Sequence, residues 1–294
     1  MEFKLRPAEK KIEILGFNCI YYFELGKDFS HPPERHDDFW EMVYVDSGQI
    51  NAVTDGIGRT VREGEVIFHR PGELHAHVSD RAEPNDLLIV SFTSESEAMC
   101  HFDRKIFALD KTGKALMRIF KSEAAETFGS ALGAHEDRTV LEHLTLPDGT
   151  LQLLECYLTE FLLLLMRSEE DGDIAVRTEN SRALAQSSIA ELVVSYLKEN
   201  VYGELCLADL CKRFYMGKSQ LSKLFAEYTD DSPMGYFAKL KVAEAKRLLR
   251  HEDFSVSRIS DMLGYSSIHN FSRAFKRSVG VSPLEYRAKH LSSQ

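Results

Sequence analysis

The run Ile259-Ser260-Asp261-Met262-Leu263-Gly264-Tyr265, then Phe271-Ser272-Arg273-Ala274-Phe275-Lys276, then Gly280-Val281-Ser282-Pro283, decides how the last third of the chain folds. Val256, Ile259 and Leu263 recur at helical spacing behind Ser255, a hydroxyl suited to an N-cap. Gly264 interrupts the period. Phe271, Ala274 and Phe275 restart it, and Gly280 ends it. Ser282-Pro283 then opens a further helix with cap and N1 proline in the right order. The same pattern stands fifty residues upstream. Leu221, Ser222, Leu224, Phe225, Ser232, Pro233 and Tyr236 correspond to Phe271, Ser272, Ala274, Phe275, Ser282, Pro283 and Tyr286, and Lys223 corresponds to Arg273. Before the turn, Leu207, Leu210, Cys211 and Phe214 match Val256, Ile259, Ser260 and Leu263 at an offset of forty-nine, so the one-residue slip falls in the turn. The spacing predicts two helix-turn-helix units, at about 205–228 and 255–279, joined by a helix over 233–250. A helix carrying Ile189, Leu192, Val193, Tyr196 and Leu197 precedes them.

A helix-turn-helix presents its second helix to the major groove, so that helix needs an apolar inner face and donors outside. Lys218, Ser219, Ser222 and Lys223 lie off the Leu221/Leu224/Phe225 stripe, and Ile268, His269, Ser272, Arg273 and Lys276 lie off the Phe271/Phe275 stripe. Arg grips guanine O6 and N7 in a bidentate way, and Ser and Lys reach bases or phosphates. Charge agrees. The chain carries −10, but residues 181–294 hold 17 Lys+Arg against 12 Asp+Glu, which leaves 19 against 34 in residues 1–180. A basic end on an acidic body suits a module that binds a polyanion.

The front of the chain reads differently. Residues 13–92 show short apolar runs such as Trp40-Glu41-Met42-Val43-Tyr44-Val45, Val66-Ile67-Phe68 and Leu87-Leu88-Ile89-Val90-Ser91-Phe92, separated by Gly48, Gly64 and Pro71-Gly72. This is the pattern of a small sandwich or barrel. Residues 112–170 read as helices. In the first, Ala115, Leu116, Ile119 and Phe120 form the inward stripe, and in the second Leu151, Leu154, Leu158, Leu162 and Leu165 lie along one face. That face pairs with a second chain or packs on the barrel of its own. Polar, aperiodic residues follow. The expected organisation is a strand-rich domain over 1–110, a helical region over 111–170, a linker over 171–187 and a DNA-binding domain over 188–294, of mixed α+β class.

Residues 189–287 resemble the C-terminal DNA-binding domain of the AraC/XylS family of bacterial transcription regulators, on the segment quoted above together with Tyr286-Arg287. The resemblance implies that each unit enters one of two successive major-groove segments of double-stranded DNA. It implies base-reading positions at Ser219, Ser222 and Lys223 in the first unit and at Ile268, His269, Ser272 and Arg273 in the second. Cys211 and Ser260 stand where the family usually has Ala, Cys206 replaces a hydroxyl N-cap, and Lys241 stands where the joining helix usually has Arg. Ahead of it, Arg35-His36 … Trp40-Glu41 … Gly48 and Gly64 … Pro71-Gly72 … His75 resemble the cupin-type sensor of such regulators, a β-barrel or jelly roll. The resemblance implies a sugar, sugar acid or small aromatic acid as effector, a homodimer held by the helices after the barrel, and RNA polymerase as a further partner.

Cupin enzymes hold a metal with His-x-His, a downstream Glu and a third His. Here Asp38 takes the second His position, and Glu41 is out of phase. No metal, cofactor or catalytic site is expected. The expected ligand is organic and polar, held by Arg35, His36, Trp40, Glu41, Tyr44, His75 and His77. His69, His75 and His77 as plain strand surface, a metal on three His and a carboxylate, a cupin enzyme fused to a DNA-binding domain, and a regulator without small-molecule effector are the alternatives. Five scattered Cys (19, 100, 156, 206 and 211), with no Cys-x-x-Cys, are expected to be core residues of a protein in a reducing cytoplasm. The start, Met1-Glu2-Phe3-Lys4-Leu5-Arg6-Pro7, has no apolar signal region, and no stretch is long and apolar enough to span a membrane.

Overall fold

A computed structural model describes residues 7–26, 29–79, 82–129, 132, 145–178, 180–251 and 254–291. The chain divides into two units, 1–185 and 186–294. The α+β class is the one expected, with strands confined to the first unit. Among the described residues no helix is long and apolar enough to cross a membrane. The opening segment, residues 1–6, lies outside the described residues.

The first unit is two antiparallel sheets. One has the order β1 (Gly16–Leu25), β8 (Asn85–Thr93), β3 (Trp40–Ser47), β6 (Glu65–His69), β9 (Ile106–Ala108), β10 (Val176–Arg177). The other has the order β2 (Ser30–Glu34), β7 (His75–Ser79), β4 (Gln49–Thr54), β5 (Ile57–Arg62). Two-residue periodicity divides β3 between two cores. Val43 and Val45 face inward and pack with Ile50, Ala52, Val61 and Ile67 between the sheets. Met42 and Tyr44 face outward, with Val66, Phe68 and Val90, under helices. Gly48 turns the chain between β3 and β4 at φ 76°, and a Cβ there would meet Pro84 O at 2.5 Å, so both conformation and space require glycine.

Those helices are α1 (Lys111–Phe128) and α2 (Thr150–Glu170). Asp110 caps α1, accepting from the Gly113 N–H at 2.7 Å. The buried stripe of α1 is Leu116, Met117, Phe120, Ala124 and Phe128, with Ile119 left exposed. On α2, Leu154, Leu158, Leu162 and Leu165 are buried in one core with Phe92 and Phe120. This corrects the expectation of a dimer face there. The stripe is used within the chain, and of its five leucines Leu151 is the exposed one. The expected linker is also more ordered than its composition suggests. It supplies β10, whose Arg177 pairs with Glu65 at 2.5 Å, and Ser181, which bridges to Gly58. Residues 133–144 and 179 of these expected segments lie outside the described residues.

The second unit is helical. After α3 (Arg182–Glu199), α4 (Leu207–Arg213) and α5 (Lys218–Thr229) form one helix-turn-helix, and α7 (Val256–Met262) and α8 (Ile268–Val279) the other. The helix α6 (Pro233–His251) joins them, and α9 (Pro283–Leu291) follows. Ser255 and Gly280 act as the sequence placed them, and Ser267 adds a cap not read there. Ser255 accepts from Arg258 N–H at 3.1 Å, Ser267 from Asn270 N–H at 3.2 Å, and Gly280 ends α8 at φ 86°. At Cys206 the cap is made from the other side, the Asp209 carboxylate accepting from the Cys206 N–H at 2.7 Å.

None of the five cysteines is buried. Cys100, Cys156 and Cys206 are exposed and Cys19 and Cys211 half-buried, which corrects the core reading.

Candidate DNA-reading helices and effector cavity

On α5 and α8 the apolar stripe turns inward and leaves the predicted readers outside. Leu221, Leu224, Phe225, Phe271 and Phe275 are buried. Lys218, Ser219, Lys223, Ile268, His269, Arg273 and Lys276 are exposed, and Ser222 and Ser272 half-exposed. The turns before the two helices are equivalent. Gly264 has φ 63°, and its counterpart forty-nine residues earlier, Tyr215, adopts φ 52° without being glycine. Only the second turn is crowded, since a Cβ on Gly264 would lie 2.8 Å from Gly203 O.

Lys241 on α6 is buried beneath that turn. Its ammonium donates to Gly203 O at 2.7 Å and Leu263 O at 2.5 Å, and lies over the Phe237 ring. Gly203 precedes the first helix-turn-helix and Leu263 closes α7 of the second, so one side chain ties the two together. Burial lowers its pKa.

In the first unit, side chains from both sheets converge. Glu41 on β3 sits directly across from His69 on β6. His75 and His77 alternate onto one face of β7, and His77 lies opposite the inward Ala52. All four are buried, so these histidines are not strand surface. His75 Nε2 lies 3.3 Å from Glu41 Oε1, and His69 Nε2 lies 3.0 Å from His77 Nε2. Burial pulls His75 down, but the Glu41 and Glu34 carboxylates more than reverse this and raise it to about 9. Burial would raise Glu41, yet His75 holds it well below the usual carboxylate range. Burial pushes His69 and His77 well below the ordinary histidine value, reinforced at His69 by the His75 charge and at His77 by His69. Glu34 is held at about 2 by the His36 hydrogen bond and the His31 charge, against the effect of burial. Two sets bring metal-capable atoms within 4.8 Å of one another: Glu34, His36, Glu41 and His75, and Glu41, His69 and His77.

A cavity of about 190 Å³ opens beside this cluster. Of the expected ligand residues it gathers His36, Glu41 and His77, with His75 behind Glu41. Three expectations are corrected. Trp40 and Tyr44 lie on the outer face of β3, in the core under α1 and α2, because strand alternation that turns Glu41 inward must turn its neighbours out. Arg35, just past the end of β2 between the cavity-lining Glu34 and His36, is exposed and does not line the cavity.

Two family models match the chain: the AraC-like ligand binding domain over residues 19–101 and a helix-turn-helix domain over residues 210–289. The chain belongs to the AraC family of transcription regulators. It is 25% identical over 262 residues to the transcriptional activator RhaR of Mannheimia succiniciproducens, covering 88% of each chain. It is 40% identical over 96 residues to the raffinose operon regulatory protein RafR of Pediococcus pentosaceus, covering 33% of this chain and 35% of that one. A solved DNA-binding domain of AdpA in complex with a target DNA aligns at 27% identity over 36% of this chain and 95% of that chain, with a TM-score of 0.35. The relatives are regulators, not enzymes.

In this AraC-family chain, sequence reasoning missed two kinds of residue. Gln220 and Asn270 are counterparts fifty residues apart on α5 and α8; Gln220 is exposed, and the Asn270 carboxamide is held between Arg273 and Ser266. The repeat itself held that signal. The cavity also takes Glu34, Asn18, Tyr21, Phe23, Phe29 and Phe39. Tyr21 and Phe23 alternate on β1, a period-two cue, but which face of β1 looks into the cavity depends on pairing with β8, seventy residues away.

Proposed function

We propose that this regulator is a sequence-specific transcription activator whose DNA affinity is set by a small polar effector, sugar-like, bound in the cavity of the first unit. The observation that carries the reading is the composition of that cavity, with the carboxylates of Glu34 and Glu41 and the amide of Asn18 beside the rings of Tyr21, Phe29 and Phe39. Carboxylates and amides take paired hydroxyls, and aromatic faces take the apolar face of a sugar ring. The raffinose operon role of RafR and the activator role of RhaR support the same class. Each chain would read two successive major-groove segments through Ser219, Ser222 and Lys223 and through Ile268, His269, Ser272 and Arg273, with Lys218 and Lys276 on phosphates. The working form would be a cytoplasmic homodimer in contact with RNA polymerase. The effector acts by binding two states of the protein unequally.

A melting screen of the full chain against neutral and acidic sugars tests this. A stabilising sugar is expected, and at 100 times its Kd it adds about 2.7 kcal/mol. Glu34→Gln and Asn18→Ala should abolish the shift while Trp40→Phe keeps it. A screen without a hit, or a hit unaffected by Glu34→Gln and Asn18→Ala, contradicts the assignment.

A further inference from the structure

The sequence pattern that would hold a metal in the first strands is broken at Asp38, but the fold joins its Glu41 to two histidines from later strands. Glu41 and His69 are cross-strand neighbours on one sheet, and His77 reaches them from the other. All three are buried, and their ligand-capable atoms lie within 4.8 Å of one another. The 3.0 Å between His69 Nε2 and His77 Nε2 is informative. Two nitrogens bound at ~2.1 Å to one ion, at right angles, are about 3.0 Å apart. Two imidazoles and one carboxylate on one side of an ion, with the other positions open, suit a divalent first-row transition metal. Magnesium and calcium prefer all-oxygen sets.

A second observation stands behind the ring. His69 Nδ1 faces Glu73 Oε2 at 3.4 Å and Thr54 Oγ1 at 3.4 Å. Glu73 is 2% exposed, and its Oε1 has no hydrogen-bond partner among the described residues. A buried carboxylate behind an imidazole fixes the tautomer and directs the Nε2 lone pair inward, as around metal-bound histidines. Burying the Glu41 and Glu73 carboxylates is costly, and a dication between them and the two rings offsets that cost. Glu41 and His77 line the cavity, so the open positions of an ion there face the space given above to a polar effector.

We infer that Glu41, His69 and His77 bind one divalent first-row transition metal ion, with Glu73 as the positioning residue behind His69. The inference concerns the ion alone and does not require the effector to be a sugar.

The test uses the full chain, free of any affinity tag, stripped with a chelator and titrated with Co²⁺ alone by calorimetry and visible absorption. One Co²⁺ per chain with ligand-field bands of nitrogen–oxygen coordination is expected. His69→Ala and His77→Ala should weaken binding at least 100-fold and Glu73→Gln about 10- to 100-fold, while His36→Ala should stay within threefold. Circular dichroism reports whether each variant folds, and the wild-type titration needs no variant. No saturable binding by the wild type overturns the inference and leaves the 3.0 Å contact as an N–H···N bond between neutral imidazoles. Loss in His36→Ala with retention in His69→Ala overturns it too, by moving the ion to Glu34, His36, Glu41 and His75. DNA is absent throughout, so failure here leaves the regulatory reading intact.

Discussion

The guanidinium of Arg273 donates to Asn270 Oδ1 at 2.5 Å, one turn back on the exposed face of the second reading helix. Asn270 is in turn anchored, its Nδ2 donating to Ser266 Oγ at 2.8 Å. This long donor on α8 is therefore held in place before DNA arrives, which reduces the rotamer entropy lost on binding.

Arg273→Ala should cost about 1–3 kcal/mol on the preferred site and relax discrimination at one base pair, because the bidentate grip on guanine is lost. Lys276→Ala should weaken all sequences alike and lower the salt slope by about 1. Competition binding with specific and random duplexes separates the two. Equal weakening on both by Arg273→Ala would make Arg273 a phosphate contact and pass the reading to His269 and Ser272.

Lys241→Met should destabilise the second unit by about 2–3 kcal/mol, since it strands the Gly203 and Leu263 carbonyls in a buried place. Lys241→Arg should recover most of the loss. Urea denaturation followed by circular dichroism reads both, and an unchanged midpoint in Lys241→Met would remove this side chain as the tie between the helix-turn-helix units.

Ser260 is wholly buried under α8, and its hydroxyl has no hydrogen-bond partner among the described residues. Ser260→Ala should therefore stabilise by about 1 kcal/mol, through relief of desolvation and better helix propensity, with DNA affinity unchanged. A destabilised variant would mean that the hydroxyl is satisfied.

The buried pair Glu41 and His75, faced by His69, His77 and Glu34, makes the chelator-treated first unit sensitive to pH. His75 is raised from 6.5 to about 9, so its stabilisation is complete below 6.5 and is lost as pH rises through 9. His69 and His77 are lowered, so they cost stability once the unfolded chain protonates below 6.5. Glu41 is lowered from 4.5, so its stabilisation is present above 4.5 and lost in acid. The three effects together place the maximum near pH 6.5. Denaturation midpoints should fall between pH 6.5 and 9 in the wild type and fall less in Glu41→Gln, where Glu34 alone still faces His75. A wild-type midpoint that rises over that interval contradicts the pairing.

The double helix-turn-helix was legible because its information is local. Apolar spacing, Ser255, Gly264 and Gly280 each act within a few residues, and the fifty-residue repeat states them twice. The cavity was only half legible. His36, Glu41 and His77 were read from residue type, but Trp40 and Tyr44 were assigned inward beside Glu41, and one strand face cannot hold both. Which face α1 and α2 would cover is a long-range matter. The leucines of α2 show the same limit, since an apolar stripe announces burial and not the identity of what buries it. His69 was passed over because its partner His77 comes from the opposite sheet.

The most direct test of the central claim is a guanine-methylation interference footprint of the purified chain on a duplex selected from random sequence. Two clusters of interference in successive major-groove segments, about 10 base pairs apart on one face of the DNA, are expected. The double variant Ser219→Ala/Lys223→Ala should erase one cluster and Arg273→Ala should weaken the other. A single cluster, or two that respond together to either variant, would contradict a chain that reads DNA with both helices.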